Sequence, residues 1–202
     1  MIKINKIFVM LFVITLSTNI QSQDKNSPWQ FTFGTNAVDL YANTKSDLGD
    51  LFNVDKNWNV SSALSMFTLS KFLGDNFSFG ISGSLNSISN FANNYTSQNS
   101  VKYFASDAML KYSLAEALNM KKIDPFIGIG LGNTWMDDKS WLTTNASIGV
   151  SYWFSEIWGL TGQVDYKNNL GYDGRGNSVM LDGGGTLRYS FGFSIKFGDN
   201  KI

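Results

Sequence analysis

From Trp29 to Phe197 the chain repeats one pattern about eight times: roughly ten residues in which every second side chain is apolar or aromatic. The last copy is the clearest. Leu187, Tyr189, Phe191, Phe193, Ile195 and Phe197 alternate with Arg188, Ser190, Gly192, Ser194 and Lys196. Successive side chains of a β-strand point to opposite faces, so each copy predicts a strand with one apolar and one polar face. The sequence offers no second layer to cover the apolar face, which leaves lipid as its partner.

The expected strands are residues 29–39, 58–72, 77–87, 103–114, 125–135, 142–154, 158–168 and a last one ending at Phe197. Phe31 and Phe33 point outward in the first, with Gln30, Thr32, Gly34 and Asn36 inward. The second is expected to share Val60, Leu64 and Met66 on one face, although Phe67 and Leu69 then fall on the other. In the third to seventh, Phe79, Ile81, Leu85, Phe104, Ala108, Leu110, Ile127, Ile129, Leu131, Ile148, Val150, Leu160 and Val164 face outward. Long polar connections at 42–57, 88–102 and 167–184 alternate with shorter ones such as Gly74-Asp75-Asn76 and Ser155-Glu156-Ile157, as in barrels with short periplasmic turns and longer external loops. An unpaired backbone group in hydrocarbon costs several kcal/mol, so the first strand must close on the last. The predicted class is all-β, an eight-stranded antiparallel up-and-down transmembrane β-barrel whose lumen is just wide enough to be filled by side chains.

Aromatic residues are expected to form two girdles at the membrane interfaces. Trp29, Phe77, Phe126, Phe154, Trp158 and Phe197 belong to the periplasmic one; Trp58, Tyr103, Trp135, Trp141 and Tyr166 belong to the outer one.

Composition changes the picture in three ways. The charged fraction, 16% of 202 residues, is well below the roughly 25% of soluble proteins. Residues 1–22 read as a secretory signal peptide, with Lys3 and Lys6 before a short apolar core and a cleavage point after Ser22, leaving 23–202 as the outer-membrane β-barrel domain. Without the two lysines the net charge is about −2, which gives no reason to expect a nucleic-acid partner. Cysteine is absent, which excludes lipoprotein modification and disulfides.

Asn36-Ala37-Val38-Asp39, Phe52-Asn53-Val54 with Trp58-Asn59, Asp124-Pro125-Phe126 with Gly128, Gly130 and Gly132, Tyr152-Trp153-Phe154 and Lys196-Phe197-Gly198 occur in that order. As an ordered set they resemble the eight-stranded barrel of the outer-membrane protein A (OmpA) family. The resemblance implies an outer-membrane location, lipid as the surrounding partner, and insertion by the barrel-assembly machinery with Phe197 as the terminal aromatic signal. Many members continue into a peptidoglycan-binding domain; here the barrel domain alone is expected.

Asp107, Lys111, Asp165, Lys167, Arg188 and Lys196 are charged residues on expected inward faces. A luminal ion-pair network is the reading that buried charges require; an ion gate or narrow conduction path is the sharper alternative. Gly128, Gly130 and Gly132 lack nucleotide-loop spacing and read as small luminal residues. Asp137-Asp138 and the segment 173–177 are oxygen-rich but lack a calcium-loop pattern, so neither a metal nor a cofactor is expected. Ser113 and Glu116 have capping-box spacing before a possible helical turn.

With no histidine and no cysteine, Ser-His and Cys-His nucleophile activation are impossible, so no catalytic residue and no enzymatic activity are expected. The expected function is structural and interactive: envelope integrity, with loops contacting the surroundings or an outer-membrane complex. The alternative is a secreted, lipocalin-like barrel of inverted facing, in which Phe31, Phe79, Ile129 and Phe193 line a ligand cavity. In the transmembrane facing Ile129→Arg, at the expected bilayer midplane, should cost more than Gly130→Ser on the luminal face, and the reverse order would mean an inverted facing.

Overall fold

A computed structural model describes residues 25–40, 54, 58–61, 64–91, 95–137, 139–170 and 185–198. The expected signal peptide, Phe52-Asn53, the acidic residue Asp138 and the segment 173–177 lie outside the described residues.

Nine strand segments build the wall: β1 (Trp29–Asp39), β2 (Asn59–Val60), β3 (Met66–Gly74), β4 (Phe77–Phe91), β5 (Tyr95–Ser113), β6 (Ile123–Met136), β7 (Lys139–Trp153), β8 (Trp158–Asn169) and β9 (Gly185–Phe197). All pairings are antiparallel: each strand from β3 to β8 pairs with the next, β1 pairs with both β2 and β3, and β1 also pairs with β9 from Trp29↔Phe197 to Asp39↔Leu187. That closure removes the open edge. Because β2 and β3 both pair with β1, they occupy one position in the wall, and the barrel is eight-stranded.

The split explains why the second strand has an ambiguous pattern. Ala37 pairs with Val60 and Gly34 with Met66, so the chain makes an excursion between the two segments and returns with its facing reversed. Met66 is therefore buried in the lumen, while Phe67 and Leu69 face outward. A continuous strand over 58–72 with Met66 outward is corrected accordingly. The connection expected over 88–102 is also corrected, because β4 and β5 continue through it and pair as far as Phe91↔Tyr95.

Both termini of the described barrel and the turn at Asp75-Asn76, whose φ angles are 47° and 66°, lie at one end, here called the turn end. The 114–122 connection at this end makes one helical turn, Leu118 N–H donating to Leu114 O at 3.0 Å. The capping box expected there is not formed, Ser113 N–H donating to Asn76 O at 2.9 Å instead of to Glu116. Ala115 N–H donates to Ser113 Oγ at 3.2 Å, whereas Glu116 accepts from Asn76 at 2.6 Å.

The outer wall is an apolar band: Ile129 is 67% exposed and Ile148 64%. Phe79, Ile129 and Phe193 stand outside, so the inverted, cavity-lining arrangement is not the one found. The buried side chains lie within the barrel.

Candidate functional site

The lumen is the one place where alternation from every strand converges, and it is layered along the axis. At the turn end Trp153 is fully buried with Lys196 Nζ 4.3 Å from its ring centroid, and Phe126 carries Lys111 Nζ at 4.5 Å. Nearby, Ser113 donates to Asp124. The next layer is a chain of hydroxyls across four strands: Thr32 to Ser194 at 2.8 Å, Ser194 to Thr161 at 2.7 Å and Thr161 to Ser151 at 2.8 Å.

Above it stands an ionic quartet. Arg188 on β9 donates through Nε and Nη2 to Asp165 Oδ2 at 3.0 and 2.8 Å, and through Nη1 to Asp107 Oδ2 at 2.6 Å and Ser84 Oγ at 2.9 Å. Lys167 pairs with Asp107 Oδ1, which also accepts from Asn145 at 2.8 Å. Gln163 donates to Asp165 Oδ1 at 2.5 Å and accepts from Lys111 Nζ at 2.6 Å. All four ionic side chains are essentially inaccessible to solvent. Two cations balance two carboxylates, and each carboxylate oxygen in the quartet has a donor, as burial of charge demands. Gly132 makes the space, since a Cβ there would overlap Asp107 and lie 2.9 Å from Asn145 Nδ2.

The loop end of the lumen is apolar. Val38, Leu40, Ile88, Tyr103, Ala105 and Met136 form a buried cluster, with Val101 and Trp141 packed against it. Small voids of about 20 and 30 Å³ lie below the quartet, each with room for one or two waters. Hydroxyls, ion pairs and apolar packing thus block the axis in series.

Of the six charged residues singled out from sequence, Asp107, Asp165, Lys167 and Arg188 come together directly, Lys111 joins through Gln163, and Lys196 sits apart on Trp153. Gln163, Asn145 and Ser84 were not singled out, because an inward amide or hydroxyl looks the same whether or not it serves a charge.

The girdles need three corrections. Phe126 and Tyr103 are 6% and 2% exposed and point into the lumen, and Trp141 packs against the luminal cluster. Each lies one residue from an outward neighbour: Ile127, Phe104 and Leu142 are all exposed. Parity therefore places them inside. Phe77, Phe154, Trp158 and Phe197 are exposed at the turn end, where Trp29 pairs with Phe197 and carries Lys71 Nζ 5.2 Å from its ring centroid. Toward the loop end, Trp135 stacks on Phe104 at 5.0 Å, Trp58 stacks on Tyr189 at 4.1 Å, and Tyr166 is exposed.

Among the described residues no group of three or more Asp or Glu is placed to hold a metal ion. No protein-family model matches the chain, and no curated protein matches it. Solved structures do. The outer membrane protein OprG from Pseudomonas aeruginosa is similar at 13% identity over 88% of this chain and 99% of its own, with a TM-score of 0.57. Neisserial surface protein A (NspA) is 14% identical over 84% and 96%, with a TM-score of 0.51. The outer membrane protein AlkL is 15% identical over 92% and 98%, with a TM-score of 0.50. The structural neighbours are OmpA-like eight-stranded outer-membrane barrels, and this chain has their fold.

Proposed function

We propose that the chain is a non-conducting outer-membrane barrel with a structural and interactive role, adding to envelope integrity and presenting its loop end to surface contacts or to a larger outer-membrane complex. The carrying observation is the occluded lumen: the Arg188, Asp107, Asp165 and Lys167 quartet lies across the axis beneath an apolar plug. An ion crossing it would have to displace paired charges and then enter a layer with nothing to solvate it. The exposed apolar wall supports placement in lipid. Phe197, at the end of β9, fits the terminal aromatic by which the assembly machinery would recognise the chain. No catalytic role is assigned.

Planar-bilayer recording of the purified, refolded protein tests the central point. No discrete conductance steps are expected above the membrane baseline, in a preparation whose gel mobility shifts on boiling and which fractionates with outer membrane. Discrete steps whose size or gating changes in refolded Arg188→Leu would replace this reading with a gated pore.

A further inference from the structure

Lys111 is the charge that the lumen leaves over. It reaches the quartet through Gln163, yet the quartet's two cations already balance its two carboxylates. Among the described residues the Lys111 ammonium donates one hydrogen bond, to Gln163 Oε1 at 2.6 Å, lies 4.5 Å from the Phe126 ring centroid, and belongs to no ion pair. An ammonium enclosed in this way calls for a counter-charge.

Both voids below the quartet have Lys111 on their wall. The void nearer the turn end is also lined by Asp124, whose carboxylate already accepts from Ser113. The void of about 20 Å³ nearer the quartet differs: Lys111 and Arg188 both line it, and no carboxylate does. Its wall carries more hydrogen-bond donors than it has acceptors for. An ammonium has three N–H groups and a guanidinium five; Lys111 commits one, and Arg188 commits four, to Asp165, Asp107 and Ser84. The Ser190 hydroxyl on the same wall is inaccessible to solvent and has no partner, and the Thr68 hydroxyl has only the Met66 sulfur, at 3.5 Å. Sulfur is a weak acceptor.

We propose that this void is a binding site for a monatomic halide, with chloride as its ordinary occupant, held by Lys111, Arg188 and the hydroxyls of Ser190 and Thr68. Charge and size select the ligand together. Two cations without a facing carboxylate repel a metal ion, and a space with room for one or two waters admits chloride or bromide while excluding phosphate and organic carboxylates. Access needs no passage through the quartet. Gln30, Ser70, Lys111 and Thr161 line both voids, so a polar route runs up from the turn end and stops at the site. The anion ties β3 at Thr68 and β5 at Lys111 to β9 at Arg188 and Ser190, joining strands that no ladder joins. This site goes beyond the scaffolding role, which holds whether the void contains halide or water.

The test uses the full barrel in lipid nanodiscs and chloride itself as the probe. The 35Cl resonance is expected to broaden saturably on adding protein, with bromide competing and gluconate not. Lys111→Met, which removes the charge, and Ser190→Val, which fills the void and leaves every charge in place, are each expected to abolish the broadening. The same occupancy is read a second way by urea titration in vesicles, in chloride against gluconate at equal ionic strength. The folded-to-unfolded ratio of the parent is expected to be about 100-fold higher at a chloride concentration 100 times the dissociation constant taken from the line width, and that gain is expected to vanish in Ser190→Val. Broadening that survives either variant, or that gluconate displaces, puts the anion elsewhere and overturns the site. No saturable broadening, or equal stability in the two salts, leaves the void to water and overturns it as well. Conductance measures the non-conducting reading separately, so either can fail without the other.

Discussion

Removing Arg188 is the sharpest test of how the lumen is held. Its guanidinium makes three hydrogen bonds to carboxylates, two to Asp165 and one to Asp107, and a fourth to Ser84. In Arg188→Leu, Asp107 keeps Lys167 and Asn145, but Asp165 keeps only Gln163 among its hydrogen-bond partners in the quartet layer. Breaking a buried pair so that one charge stands uncompensated costs about 3–5 kcal/mol. Most of that cost belongs to the stranded carboxylate. Arg188→Leu combined with Asp165→Leu returns the layer to a balanced Lys167–Asp107 pair and should therefore be more stable than Arg188→Leu alone by at least about 1 kcal/mol. Urea titration of protein refolded into phosphatidylcholine vesicles, followed by tryptophan fluorescence and gel mobility, measures both. A single variant within about 1 kcal/mol of the parent, or a double variant whose loss is the sum of the two singles, would refute the quartet as a mutually dependent unit.

Ile129→Arg places a charge on the exposed apolar band and should cost about 2–4 kcal/mol in the same titration; a negligible loss would take Ile129 out of the hydrocarbon. Gly130→Ser, on the opposite face, does not serve as the mild control that alternation implies, because its Cβ would lie 3.0 Å from Met109 Cα; overpacking of this kind costs about 1–3 kcal/mol, and a neutral result would show that β5 yields. Trp153→Ala empties the turn end of the lumen and should cost about 3–5 kcal/mol; little change in the urea midpoint would mean the indole contributes little packing.

Much of this architecture was legible in the alternation alone. Where a strand runs unbroken, as in β6, β7 and β9, period two placed the inward charges and the outward aliphatics on their observed faces. It failed at 58–72, since an excursion that reverses facing leaves Val60 and Phe67 both outward, and no single period of two fits both. Phe126, Tyr103 and Trp141 show a different failure. Their parity points inward, but an aromatic near a strand end also suits a lipid interface, so residue type and position give opposite answers there. The partners inside the lumen were out of reach for another reason. Asp107 meets Arg188 across the barrel rather than along a ladder, and such a diagonal depends on how the closed wall curves. The hydrogen bonds by which Asn36, Asn59, Asn86 and Asn90 tie β1, β2 and β4 together are equally hidden, because these asparagines read as ordinary polar-face or loop residues.

The pairing of β1 with β9 has a consequence for how the chain reaches its final state. Every other long ladder joins strands that follow one another along the chain, so each can form as a hairpin as soon as its two halves are available. Trp29 with Phe197 joins the first strand to the last, and it forms only when the whole wall is present and has curved round on itself. Until that moment two strand edges with apolar faces are open together, a pairing template for any other chain. The time between synthesis and closure is therefore the interval in which the protein most depends on being kept apart from its own copies.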